Sequence, residues 1–219
     1  MKTDGYARSF AICAICLTAM TTVAVAQWSP VVAKIRETSE TTANGRTVET
    51  KTRDGIYLRL SNGSALTHWI AVNGVRGPGE GSLLDNKALL TYSLNYKTKQ
   101  ARQSRFALSE SLHQDMYANI TSQGESKVAG LSCKRIPVEV QVLQSPPQKS
   151  GEACVSADLG LMLRNETRVK MSDGSTVHNL TEMYDVQVNV QPSQREFEVE
   201  KTFEVIRPGE TVVPSEHGN

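Results

Sequence analysis

Residues Val128–Ile136 read V-A-G-L-S-C-K-R-I and continue as P-V-E-V to Val140. After a turn-rich stretch from Ser145 to Gly151, the chain resumes as E-A-C-V-S-A-D-L-G-L-M-L, Glu152–Leu163. Ile136, Val138, Val140 and Val142 alternate with Pro137, Glu139 and Gln141, the period of a half-buried strand. Cys133 and Cys154 stand at the edges of the two strand-like runs. This arrangement predicts an antiparallel pair stapled by a disulfide in an oxidising compartment, the alternative being two buried free thiols. Closing a loop of this length stabilises a fold by roughly 3 kcal/mol in the chain-entropy model.

The same alternation recurs outside this pair. Ile56, Leu58 and Leu60 alternate with Tyr57 and Arg59; Leu90, Tyr92, Leu94 and Tyr96 alternate with Thr91, Ser93 and Asn95. Tyr184, Val186, Val188 and Val190 alternate with Asp185, Gln187 and Asn189. So many period-two runs predict a mainly β protein built on an antiparallel sheet with one wet face. Asn44-Gly45, Asp54-Gly55, Asn62-Gly63 and Asp173-Gly174 supply the expected turns, and Ser145–Gly151 an exposed loop. One segment breaks the rule. From Ala107 to Ala118, Leu108, Leu112 and Met116 recur every fourth residue, which predicts a short amphipathic helix packed on the sheet.

The N-terminus has the three parts of an export signal. Lys2 and Arg8 precede an apolar run from Phe10 to Met20, and Ala24-Val25-Ala26 offers a cleavage site. The run is too short and too rich in Thr to match a spanning helix of ~20 residues, so cleavage is expected over retention as an anchor. Cys13 and Cys16 form a C-x-x-C only by falling within this segment. The residues before them, Ile12 and Ile15, are larger than a lipoprotein signal requires. Residues 1–26 are therefore read as a signal peptide, 27–207 as one β domain and 208–219 as a disordered tail. Removing Lys2, Asp4 and Arg8 takes the formal charge from +1 to zero. A neutral chain has no electrostatic footprint for nucleic acid.

No catalytic constellation is visible. The four histidines, His68, His113, His178 and His217, show no metal-ligand spacing, and no serine sits in a G-x-S-x-G elbow. His68 shares its parity with Leu66, Ile70 and Val72, as an interior histidine would. Gly74, Gly77, Gly79 and Gly81 form a glycine-rich loop without phosphate-loop spacing, expected to be a flexible surface loop. No cofactor or metal is expected.

The layout from Thr47 to Val205 resembles the LolA/LppX-like superfamily of exported, lipid-handling proteins, and in particular an uncharacterised periplasmic branch of it. The resemblance rests on G-R-T-V-E-T-K-T-R-D-G-I-Y-L-R (Gly45–Arg59), V-A-G-L-S-C-K-R-I (Val128–Ile136), C-V-S-A-D-L-G-L (Cys154–Leu161) and V-Q-P-S-Q-R-E-F-E-V (Val190–Val199). It implies a strongly curved, unclosed antiparallel half-barrel with one short helix as lid over an apolar concave cavity. Such proteins carry lipids or lipoproteins without catalysis. In such a cavity Leu58, Tyr92, Leu94, Val138, Val140, Val186 and Val188 would be lining residues, with Leu108, Leu112 and Met116 above them. The expectation is a non-enzymatic monomer in the periplasm whose partner is a lipid or lipoprotein. An envelope protein-interaction or stress-sensing module with a filled core is the alternative.

Overall fold

The computed structural model describes residues 28–105, 121–140 and 148–210. The predicted helix with Leu108, Leu112 and Met116, the signal segment 1–26 and residues 211–219 lie outside the described residues. The described chain is almost entirely β. It runs β1 (Val31–Ala43), β2 (Arg46–Arg59), β3 (Ala65–Val72), β4 (Val75–Arg76), β5 (Glu80–Asp85), β6 (Leu90–Asn95) and β7 (Gln100–Arg105). Then come β8 (Glu125–Val128), β9 (Leu131–Val140), β10 (Gln148–Ser156), β11 (Leu161–Lys170) and β12 (Thr176–Val188). A 3-10 turn (Gln194–Phe197), a four-residue helix α1 (Val199–Thr202) and β13 (Glu204–Ile206) follow.

All strands join one sheet in the order β13-β7-β6-β5-β3-β2-β1-β12-β11-β10-β9-β8, with β4 paired to β3 alone. Neighbours are antiparallel except β13, which pairs in parallel with β7. The sheet does not close: β13 and β8 are its two edges. Asn44 and Gly45 both take positive φ, 52° and 74°, and make the two-residue hairpin that their sequence signalled. Gly63 and Gly174 likewise occupy turns.

Two turn expectations need correction. Asp54-Gly55 does not end a strand, because β2 runs straight through it. The dipeptide marks a register shift against β3, where a Cβ on Gly55 would lie 2.5 Å from the His68 carbonyl oxygen. Glycine serves a bulge here, not a turn. The stretch expected as a loop from Ser145 to Gly151 is in part strand, since β10 begins at Gln148.

Curvature follows from the bulges. Register shifts interrupt β1/β12 at Val32/Lys34, β9/β10 at Lys149/Gly151 and β10/β11 at Cys154/Val155. Each adds local twist and bends its strand. As a result Val128 of β8, Cys133 of β9 and Cys154 of β10 join Val31, Ala33 and Ile35 of β1 in one buried cluster. In the sheet order four strands separate β8 from β1. The Cys133–Cys154 disulfide is formed and lies inside this cluster.

One buried cation ties the folded-back end to the start of the sheet. Arg59, at the end of β2, is only 3 % exposed. Its Nε and Nη2 donate to the Ser29 carbonyl oxygen at 3.1 and 2.9 Å. Nη2 also reaches the Leu159 carbonyl at 2.7 Å, and Nη1 the Gly160 carbonyl at 3.0 Å, both in the β10–β11 turn. The guanidinium lies 5.1 Å from the ring centroid of Trp28. Trp28 fills the space left by glycine at 160, where a Cβ would stand 2.5 Å from the indole and φ is +55°.

Replacing Arg59 by methionine keeps the packing of the stem but strips these carbonyls of their donor, at about 1–3 kcal/mol for each group left unsatisfied. Arg36 holds Asp54 at 2.7 Å on the surface, with a side chain 56% exposed, and an exposed pair contributes at most about 1 kcal/mol. Urea unfolding should therefore show Arg59→Met losing at least about 2 kcal/mol and Arg36→Met less than about 1. Equal losses would contradict the structural weight given to Arg59.

Candidate functional site

Residue rows across the sheet decide which side chains share a face. Val32, Leu58, Leu66, Leu83 and Tyr92 are successive register partners on β1, β2, β3, β5 and β6. They form one face, which also holds Leu94 and Ala101. Met183, Ile35, Gly55 and Trp69 form a row of the opposite face, and Val31 is the partner of Val188 there. The described protein therefore has two apolar clusters on opposite sides of its central strands.

The expected lining residues divide between these sides. Leu58, Tyr92 and Leu94 are fully buried in the second cluster. Val186 packs against the first, and half-buried Val188 faces the same side. Val138 is half-buried in β9 opposite Gly151, and Val140 lies at the end of that strand. Even numbering aligned these residues within each strand, but the loops and bulges between strands reset the alignment.

What covers the second cluster was not legible as a strand or helix signal. After β12 the chain crosses to the far edge of the sheet, placing Phe197, Val199, Phe203 and Val205 on Leu58, Leu66, Leu83, Tyr92 and Leu94. The Phe197/Val199/Phe203/Val205 spacing is the signal that could have found it. The short helix described here is thus α1, within this strap.

Where the two sides come together, a cavity of about 770 Å³ opens among Val32, Ala33, Ile56, Ala129, Tyr184 and Val186. Val32 and Ile56 pack against the second cluster, while Ala33 and Val186 belong with the first. At its rim Lys34 Nζ donates to Asp185 at 2.6 Å. That bond, with the carboxylate's charge, raises the Lys34 pKa. Tyr184 stands between Lys34 and Arg36, 5.8 and 5.7 Å from its ring centroid. The site is an open cleft of mixed lining, with Lys34, Asp185 and Gln187 beside the apolar side chains. A volume of ~300–1,000 Å³ is that of small-molecule sites.

Other features offer less. A depression of about 500 Å³ over β2, β3, β5, β6 and β7 is lined by Arg53, Trp69, Glu80, Ser82, Arg102 and Leu94, one of the expected lining residues, and is mixed in character. The glycine-rich stretch lies beside it and serves strand pairing: Gly79 and Gly81 sit where a Cβ would collide with the carbonyls of Trp69 and Thr67. His178 bonds Glu166 at 3.0 Å and lies 3.8 Å from Glu40. Burial opposes the Glu166 charge, but the bond to His178 and the nearby Arg164 hold its carboxyl below the usual range. Among the described residues no group of three or more His, Cys, Asp or Glu could hold a metal ion. No helix among them is long and apolar enough to cross a membrane.

No family model matches the chain, and no curated protein matches it. Among solved structures it is similar to a DUF1329 family protein from Desulfovibrio piger, at 12% identity and a TM-score of 0.36, over 81% of this chain and 93% of the other. It is similar to a LolA superfamily protein from Nitrosomonas europaea at 13% identity and a TM-score of 0.33, over 81% and 90%. A domain named for outer membrane lipoprotein sorting, from Vibrio parahaemolyticus, follows at 9% identity and a TM-score of 0.35, over 80% and 92%. These are likenesses of fold.

Of the two described histidines, His68 is the one in contact with the apolar packing. It faces the second cluster beside Ile56, stacked on Tyr96 with ring centroids 3.6 Å apart. Ile70 and Val72, expected to share its interior side, are exposed beyond the register shift. Burial lowers the His68 pKa, assisted by the charge of Lys99, and burial pushes the Tyr96 phenol up to about 12. The unfolded chain binds the His68 proton near pH 6.5, whereas the folded chain does so only at lower pH. Stability from this residue is complete above that range and is lost as pH falls through it. Melting temperatures at pH 7 and pH 5 should therefore differ more for the wild type than for His68→Phe, and parallel curves would sink the assignment.

Proposed function

We infer that the protein is exported to the periplasm and there holds a hydrophobic ligand, a lipid or the acyl chain of a protein, without catalysing a reaction. The observation that supports this reading is the open cleft of about 770 Å³ in which Val32, Ala33, Ile56, Ala129 and Val186 lie beside Gln187 and the Lys34–Asp185 pair. An acyl chain entering it gains ~0.8 kcal/mol per buried methylene. The rim charges remain in water and meet the ligand's polar end. The export reading draws on the N-terminal segment of Lys2, Arg8 and Ala24-Val25-Ala26 and on the Cys133–Cys154 bridge, a bond that persists in oxidising compartments. The LolA superfamily name of one structural neighbour is consistent with it.

A second reading, an envelope docking module with a filled interior, is favoured by a different observation. Leu58, Tyr92 and Leu94 are buried in a cluster packed by Phe197, Val199, Phe203 and Val205 of the protein's own strap, while Val72 and Val75 are exposed at 40% and 73%.

The two readings separate on ligand content. Native mass spectrometry of the mature protein from its own envelope should show an adduct that organic extraction removes. A fluorescent fatty acid should then bind the extracted protein, and Val186→Phe, which narrows the cavity, should weaken it by at least about tenfold, or ~1.4 kcal/mol. Val75→Asp, on an exposed strand, should leave binding unchanged. A clean mass with no uptake of the probe would overturn the carrier reading in favour of docking.

A further inference from the structure

The strap packs on one side of the half-sheet from β3 to β7. The other side carries a row of register partners with short or polar side chains: Thr67, Ser82, Ser93 and Arg102, on β3, β5, β6 and β7. Strand alternation sets this row against Leu66, Leu83 and Tyr92 of the packed side. Ser82, Ser93 and Arg102 are exposed. They floor the open depression of about 500 Å³, a size within the ~300–1,000 Å³ of small-molecule sites.

Its wall is held in place. Trp69 packs against the first cluster, and the Arg53 guanidinium lies 4.5 Å from its ring centroid. Arg53 Nε and Nη2 both donate to one oxygen of Glu37, at 3.0 and 2.6 Å, which leaves Nη1 for another acceptor. Across the floor, Arg102 and Glu80 line the depression and make no ion pair with the described residues. Asn95 and Gln100 spend part of their capacity elsewhere: Asn95 accepts from the Lys97 and Thr98 amides, and Gln100 donates to Glu204.

Charge and chemistry together select a ligand. Arg53 is matched by Glu37 and Arg102 by Glu80, so the depression lacks the one-signed field that draws anions. Guanidinium groups only donate, the Glu80 carboxylate only accepts, and the serine hydroxyls do both. The indole of Trp69 and the chain at Leu94 add apolar surface among these groups. A matching ligand is neutral, bears many hydroxyls that each donate and accept, and has an apolar C–H face. We propose that this depression is a binding site for a neutral saccharide. An open floor covers one side of a sugar ring, so the affinity is modest. The site shares no residue with the cleft of Val32 and Val186 and does not rest on the carrier reading.

Trp28 and Trp69 are the two tryptophans of the chain, and Trp28 is buried at 7% exposure. Acrylamide quenching of the mature protein's fluorescence therefore reports on Trp69. Maltotriose, cellotriose or triacetylchitotriose should protect it, with the same midpoint by titration calorimetry. Arg102→Ala and Ser93→Leu, at exposed positions, should each weaken that binding at least about tenfold. Arg105→Ala, on the other side of β7, should leave it unchanged. Protection by inorganic phosphate and by none of the sugars would make this an anion site and overturn the proposal. Saccharide binding that both variants retain in full, or no binding of any of the three sugars, would overturn it as well. Uptake of the fluorescent fatty acid by the same samples decides the carrier reading separately.

Discussion

The guanidinium of Arg59 is the interaction on which the arrangement depends. A buried cation is costly unless its donors are satisfied, and here they are satisfied by carbonyls from parts of the chain far apart in sequence: Ser29 before β1, and Leu159 and Gly160 in the β10–β11 turn. Those bonds hold the folded-back end of the sheet against the entry to β1. Trp28 completes the joint by packing on the guanidinium and on the glycine at 160. Without it the bulged strands could open, and the cluster that brings Val128, Cys133 and Cys154 to Val31 would lose its closure. The disulfide reinforces the same region by limiting the unfolded chain, a different mechanism from the native-state bonds of Arg59.

From this joint the rest follows. Bending brings the β8–β9 turn, with Ala129, beside Val186 and Ala33, and so creates a cavity where a flat sheet would have none. On the opposite side of the central strands the leucine row needs a cover, and the chain supplies one from its own C-terminal segment. One face therefore presents an opening and the other an occupied trough.

Much of this was legible in the residues. The alternation of Tyr92 with Leu94, the Asn44-Gly45 hairpin and the Cys133/Cys154 pair each report a local geometry that the chain then adopts. Asp54-Gly55 was misleading because a glycine at a bulge and a glycine in a turn leave the same local trace; only the approach of the His68 carbonyl distinguishes them. The strap was missed because four apolar residues spread through a short 3-10 turn, one helical turn and a three-residue strand follow no single period.

Taken alone, the sequence determined the mainly β character, the Asn44-Gly45 hairpin and the positions that share a side within an unbulged stretch of strand, since these depend on contacts between near neighbours. The tertiary structure alone decided which sides of different strands meet. Leu58 and Val186 have the same parity and lie on opposite faces, because a one-residue shift in pairing or a bulge such as that at Asp185 reverses every side chain beyond it. That choice is made by long-range register and by the carbonyls gathered around Arg59, neither of which is written in any single stretch of the chain.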